Sequence, residues 1–282
     1  FARGMARGAG FTPEEVTLLL LHEEFVHLPH CTSLGATGQG TPDGAPILGQ
    51  TWDWNSRLYL WSHLTRLHAR GMPRALLYSY PGLWAGAGIN EHGLSLVWTS
   101  SGPTPEAPPR AGIPTYAIIA ALLARRTCRE ALALLRATKN AGSFIFTIAD
   151  AAKEVWVIEG MPHRVEAIPC EDVVSRANHY EGAAAKARTG QTPSLLKTST
   201  RFRGPRMARL VRRFRGKIDA RRVEACLRDR FGGRGKSICQ GGFGKQRTQT
   251  LDAFYCLPLR REFWIARGLP TRHAFRRYTP TP

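Results

Sequence analysis

The sequence predicts an α+β protein in which antiparallel sheets are flanked by helices. Strand-like runs occur in adjacent pairs joined by turn signals, and helical patterns are grouped between those pairs rather than alternating with single strands. Size agrees: 282 residues with 43% hydrophobic content can bury a full core as one domain. No internal repeat, low-complexity run or linker divides them.

The elements follow in order. "FTPEEVTLLLLHEEFVHL" opens with a capping box, Thr12 as N-cap with Pro13 at the first helical position and Glu15 three residues on. This helix is expected to reach about Phe25, and "HLPH" ends it before Cys31. "CTSLGAT" and "APILGQTWDW" read as strands joined at "TPDG", a hairpin signal. "RALLYSYPG" and "GINEHGLSLVWTS" add strands, the latter turning at Glu91-His92-Gly93. "TYAIIAALLARR" and "TCREALALLRAT" are helices, the second with Thr127 and Glu130 as another capping box. "FIFTIAD" and "EVWVIEG" are strands around a turn at Ala151-Ala152-Lys153, and "HRVEAI" continues the sheet. "DARRVEACLRDRF" is a helix capped by Asp219, and "TLDAFYCLPL" with "EFWIARG" closes the chain as a hairpin.

A net charge of +19 and a pI near 10.6 invite a nucleic-acid reading. Of the 40 basic residues, however, seven are Lys and the remaining 33 Arg, a bias that a GC-rich genome also produces. The charge concentrates in Arg201 to Lys236, where 14 basic residues face only Asp219, Glu224 and Asp229. That stretch carries no nucleic-acid motif, so it reads as a solvated helical face that attracts anionic small molecules, and no nucleic-acid partner is expected. No apolar run approaches the ~20 residues of a membrane span. No signal peptide is visible. The chain opens on Phe1 rather than Met, so the start reads as trimmed, and a cytoplasmic location is expected. Cysteines 31, 128, 170, 226, 239 and 256 are widely spaced, without a C-x-x-C pair or metal spacing. No metal or cofactor is expected.

Cys31 stands apart. It heads a strand, two small hydroxyl residues follow it, and a polar turn precedes it. Cleavage between His30 and Cys31 would give Cys31 a free α-amine with a pKa near ~7.7–8.0, partly unprotonated at neutral pH. One residue then supplies both nucleophile and base. The same thiol can attack the His30 carbonyl to perform the cleavage.

"CTS", "GQTWDWN", "GINEHGL", "SRANHY", "SICQ" and "ARGLP" occur in the order seen in the acyl-coenzyme A:6-aminopenicillanic acid acyltransferase (isopenicillin N acyltransferase) family, which the chain resembles from its first helix to about Tyr278. It is more distantly similar to choloylglycine (bile salt) hydrolases. The resemblance implies a four-layer αββα sandwich, the N-terminal-nucleophile hydrolase fold. It also implies self-cleavage before the cysteine and acyl transfer through a thioester. Residues 1–30 would then be a leader retained as a small subunit, and 31–282 the catalytic domain. By position, Cys31 is the nucleophile and Asp53 the carboxylate beside its amine. Asn178 donates to the oxyanion, and Arg201 occupies the place of an active-site arginine. Thr32 and Ser33 either bond the scissile region or face solvent. Thr99 and Ser100 fall where relatives carry an oxyanion or substrate Asn. Gln50 and Trp52 flank Asp53 and face the other way, as packing residues. Asn90, Glu91 and Gly93 form a turn, and His179 reads as structural.

Three departures from the family pattern stand out. His30 replaces the usual Gly, Thr51 replaces Asn in "GQNWD", and Thr99 with Ser100 leaves the oxyanion hole to Asn178 and a backbone N–H. The expected activity is an amide hydrolase or acyltransferase acting on a small-molecule amide or acyl thioester, with coenzyme A thioesters as possible donors. The alternative is a catalytically inactive member serving as a basic binding protein.

Overall fold

In the computed structural model, residues 2–25, 31–101, 104–189, 198–242 and 248–281 are described. "HLPH", with His30, lies outside these residues, as does Phe1. The hairpins expected from the sequence assemble into two antiparallel sheets. The first contains β1 (Thr32–Gly38), β2 (Gly44–Asn55), β10 (Val173–Arg176), β11 (Thr248–Leu257), β12 (Glu262–Arg267) and β13 (Arg276–Tyr278). Their order is β10-β1-β2-β11-β12-β13. The second runs in chain order through β3 (His63–Leu67), β4 (Ala75–Ser79), β5 (Ala87–Asn90), β6 (Ser95–Ser100), β7 (Phe144–Ala149), β8 (Val155–Met161) and β9 (Arg164–Pro169).

Alternation along the strands sorts the layers. Leu34 and Ala36 of β1 and Ile47 of β2 point outward onto α7 (Thr200–Arg213) and α8 (Ala220–Leu227), meeting Met207, Leu210 and Val223. Gly49 permits the close approach of α8, because a Cβ there would lie 2.8 Å from Val223 Cγ1. Leu48 and Trp52 of β2 and Phe254 of β11 point the other way, into a core shared with Tyr78, Leu96 and Phe146 of the second sheet. Helices α4 (Thr115–Leu123) and α5 (Cys128–Ala137) cover that sheet's far face. The result is the expected αββα sandwich. Each fully buried Leu or Phe in it contributes ~1.5–3 kcal/mol.

The local signals are mostly realised. Thr12 and Glu15 form both bonds of their capping box at the start of α2 (Pro13–Leu20). At α5 only half a box forms: Glu130 N donates to Thr127 Oγ1, but the Glu130 carboxylate takes Arg126 N instead. Asn90 Oδ1 closes the turn expected there by accepting from His92 N and Leu94 N, with Gly93 at φ 87°.

The first long helix differs from expectation. It breaks at Leu21, and α3 (His22–Phe25) turns so that Glu23 and Glu24 are buried. The physical reason lies across the fold. Helix α4 starts after Pro114, which has no side chain to cap it. Glu24 Oε1 performs that role, accepting from Thr115 N and Thr115 Oγ1, both at 2.8 Å. Elements without a clear sequence signal are α1 (Ala2–Ala9), α6 (Ala183–Thr189), β3, β10, β13 and a 3₁₀ turn at Ser56–Trp61, whereas α7 falls in the Arg-rich stretch read as a helical face. No helix among the described residues is long and apolar enough to cross a membrane.

Candidate active site

Cys31 sits immediately before β1 and is buried, 7% exposed. The pairing of Ser33 with Gln50 and Thr32 with Thr51 carries Cys31 across from Trp52 and within reach of Asp53. Its Sγ donates to the Asp53 carbonyl at 4.0 Å. Burial, then the Asp53 charge, pushes the thiol up to about 12. Within the intact chain it is therefore held as the neutral thiol.

Asp53 pairs with Thr250 of β11, whose hydroxyl donates to Asp53 Oδ1 at 2.6 Å. Oδ2 is buried without a hydrogen-bond partner among the described residues. Thr51 Oγ1 lies alongside, close enough to lower the carboxyl's pKa but outside hydrogen-bond geometry. Burial raises Asp53 to about 7, against the pull of Arg203 and the Thr250 hydroxyl.

The hub is Arg203, fully buried on α7. Nη1 donates to the Cys31 carbonyl and, at 2.6 Å, to Thr32 Oγ1. Nη2 donates to Asn178 Oδ1 at 2.6 Å, and Nε to Ser199 Oγ at 3.0 Å. Asn178 follows β10, where its backbone N donates to Thr200 Oγ1 and its Nδ2 to the Ser100 carbonyl at 2.5 Å. An amide nitrogen carries two hydrogens, and the Ser100 carbonyl takes one of them.

Arg203, not Arg201, is the arginine brought to Cys31. Arg201 is exposed, its guanidinium 4.7 Å over the Phe202 ring. Two residues along a helix is a rotation of roughly 200°, so Arg201 and Arg203 occupy opposite faces. Thr32 helps seat Arg203, whereas Ser33 points to the opposite face, its Oγ buried and without a hydrogen-bond partner. The hydroxyls of Thr99 and Ser100 are committed to protein groups, Ala177 O at 2.6 Å and Glu23 Oε2 at 2.9 Å. Gln50 and Trp52 face away from Asp53 as expected: Gln50 Oε1 accepts from Trp98 N, and Trp52 packs edge-on against Tyr78, Tyr80 and Trp98. His179 Nδ1 bonds Thr200 Oγ1 at 2.8 Å, and burial beside Arg203 lowers its pKa to about 4.

Trp52, across from Cys31 on β2, also lines a half-open pocket of about 210 Å³ that Cys31 itself does not line. Trp52, Trp54, Tyr80 and Tyr116 form its walls, and Leu19, His22 and Glu23 of the N-terminal helices complete it. Sequence reasoning did not find this contribution, nor Arg203, Thr200 and Thr250.

Residues 40–272 match the family described as acyl-coenzyme A:6-aminopenicillanic acid acyl-transferase, which is most of the chain. The chain belongs to that family. Its structure is similar to penicillin V acylase from Agrobacterium tumefaciens, with 14% identity and a TM-score of 0.55, covering 84% of this chain and 83% of that one. It is also similar to a variant of the conjugated bile acid hydrolase from Clostridium perfringens, with 14% identity and a TM-score of 0.55, covering 84% and 89%. A Caenorhabditis elegans ortholog of N-acylethanolamine-hydrolyzing acid amidase gives 11% identity and a TM-score of 0.54, covering 81% and 93%. At these identities the likeness is one of fold, that of the N-terminal-nucleophile hydrolases. No curated protein sequence matches the chain. The family places this chain among acyltransferases and amide hydrolases of the N-terminal-nucleophile type.

Proposed function

We propose that the chain cleaves itself before Cys31 and then hydrolyses or transfers acyl groups through a thioester on Cys31 Sγ. The observation that carries this reading is Asp53 Oδ2, a carboxylate oxygen buried beside Cys31 with no hydrogen-bond partner among the described residues. A buried unpaired anion is costly. An α-ammonium released at Cys31 is the partner it lacks.

In the cleavage, Sγ bonds to the carbonyl carbon of residue 30 as the C–N bond breaks and the nitrogen takes up the thiol proton. Water then opens the thioester, leaving a carboxylate on residue 30 and restoring the thiol. Residues 1–30 become the small subunit and 31–282 the catalytic one. Catalysis repeats the chemistry on a substrate amide or acyl thioester, a coenzyme A thioester being one candidate donor. The α-amine accepts the thiol proton, and Asn178 Nδ2 with a backbone N–H stabilises the tetrahedral oxyanion. The acceptor, water or amine, decides between hydrolase and transferase. Arg203 holds the Cys31 carbonyl and Asn178 in one frame throughout.

Intact mass of the purified protein beside Cys31→Ala tests the proposal. Expected is a wild type split between residues 30 and 31, with the variant whole at 31.3 kDa. A wild type that stays whole would move the inactive basic binding protein to the front.

A further inference from the structure

Helix α7 has a second working face. Arg212 follows Arg203 by two and a half turns, so it points away from the side of the helix that serves Cys31. On that other side α7 and α6 border a half-open cleft of about 380 Å³, with Arg209 and Arg212 on one wall and Lys186 on the other. We propose that this cleft binds a small phosphorylated molecule through Lys186, Arg209 and Arg212. The inference does not rest on the reading of Cys31 as nucleophile, because none of Cys31, Asp53, Asn178 and Arg203 lines the cleft.

Small residues make the space. A Cβ at Gly204 would lie 3.0 Å from His179 Cε1, so a glycine there lets the imidazole rest on the helix and close one end of the cleft. Ala208, one turn further along, leaves the floor open. Arg209 and Arg212 are exposed and three residues apart, the spacing that sets two side chains next to each other on a helix. Lys186 is half-buried. The volume falls in the range of about 300–1,000 Å³ typical of small-molecule sites. A concave space of that size suits one compact ligand, not a strand of nucleic acid.

Charge selects the ligand. Among the described residues, Lys186, Arg209 and Arg212 have no ion-pair partner. Glu181 is the one carboxylate of the cleft, and it faces Arg176 Nη1 at 3.6 Å and His179 Nε2 at 3.8 Å. His179 adds no charge of its own, since burial, then Arg203, lowers its pKa to about 4. Three cations thus meet a single carboxylate that already has another cation beside it. A monoanion would leave that excess unmatched, whereas a phosphate ester carries close to two charges at neutral pH. Guanidinium forks match phosphate oxygens in pairs, and the ammonium adds a point charge.

The test uses the full chain carrying Cys31→Ala, with pyrophosphate as the probe near neutral pH and at constant ionic strength. A ligand that binds only the folded chain raises its thermal midpoint with concentration, and a saturable rise is expected. Arg209→Ala combined with Arg212→Ala should weaken binding at least about tenfold. Arg126→Ala combined with Arg136→Ala removes the same charge from exposed positions by α5, and should change affinity by less than about twofold. Ala208→Trp keeps every charge and fills the floor, so it should abolish the saturable rise. A rise that never saturates, equal weakening in the two double variants, or saturation that survives Ala208→Trp would each overturn the inference. A chain with Cys31→Ala gives the same readout whether or not the wild type cleaves itself, so the two proposals fail separately.

Discussion

Arg203 Nη2 donates to Asn178 Oδ1 at 2.6 Å, and this contact fixes which way round the Asn178 amide sits. With its oxygen held by a guanidinium, Asn178 turns its nitrogen toward the Ser100 carbonyl. The arginine thus sets the sign of the amide dipole, which the oxyanion donor proposed at Asn178 would need.

Arg203→Ala strands the Cys31 carbonyl, Thr32 Oγ1 and Asn178 Oδ1 in a buried site. A loss of about 3–5 kcal/mol in unfolding free energy is expected, measured by urea denaturation, together with loss of self-cleavage by intact mass. Arg203→Lys should not rescue cleavage, since one ammonium cannot serve three acceptors in a fixed fork. Arg201→Ala, on the solvent face, should change stability by less than about 0.5 kcal/mol. Equal effects at the two positions would remove Arg203 from the site.

Asn178→Ala removes the amide donor and leaves Arg203 Nη2 without its acceptor. Acyl transfer by processed enzyme should fall by roughly 10²–10³ in kcat, read from release of a chromogenic anilide. A fall under about threefold would mean that the oxyanion is held elsewhere.

The sandwich was legible because its evidence is local. Hairpin turns such as Glu91-His92-Gly93 and alternation along Leu34, Ala36 and Leu48, Trp52 are written in consecutive residues. That Cys31, Asp53 and Asn178 lie in one neighbourhood was legible through their motifs. Arg203 was not, because the whole stretch from Arg201 reads as one solvated helical face, and nothing local marks the arginine that turns inward. Only the spacing of the buried Thr200, Arg203, Met207 and Leu210 betrays it, and in a stretch so rich in arginine that spacing has no contrast. Glu23 and Glu24 looked like the solvated face of an amphipathic helix. Their burial depends on partners some ninety residues away, Tyr116 and Thr115, which no local pattern records.

Glu24 ties the N-terminal helices to α4 by capping it, so Glu24→Ala should act on both. The uncapped Thr115 N and the lost buried bonds predict a cost of about 1–2 kcal/mol, measured as a lower thermal midpoint of the Cys31→Ala chain. In processed protein the same substitution should loosen residues 1–30, which would separate from the large fragment on size exclusion in mild denaturant while the Glu24 protein stays whole. An unchanged midpoint would show that the cap carries no weight.

Asp53 makes the uncleaved and cleaved forms respond oppositely to pH. In the intact chain its carboxyl sits at about 7 against a reference of 3.8. A group that holds its proton more tightly when folded stabilises the fold fully below the unfolded pKa. That contribution is lost as pH rises through the folded value. The cost of ionising Asp53 therefore accrues between about pH 4 and 7 and reaches about 4 kcal/mol. Asn mimics the protonated acid and keeps an acceptor for Thr250, so in the Cys31→Ala background Asp53→Asn should match the parent at pH 4 and exceed it by up to that amount at pH 8. A new α-ammonium at Cys31 reverses the balance. In a processed enzyme carrying Asp53→Asn, the ammonium has lost its counter-charge, and stability at pH 8 should fall below that of the Asp53 enzyme. Urea unfolding of both pairs at the two pH values reads this directly. A gain at pH 8 in the processed form as well would mean that Asp53 does not receive the nucleophile's amine.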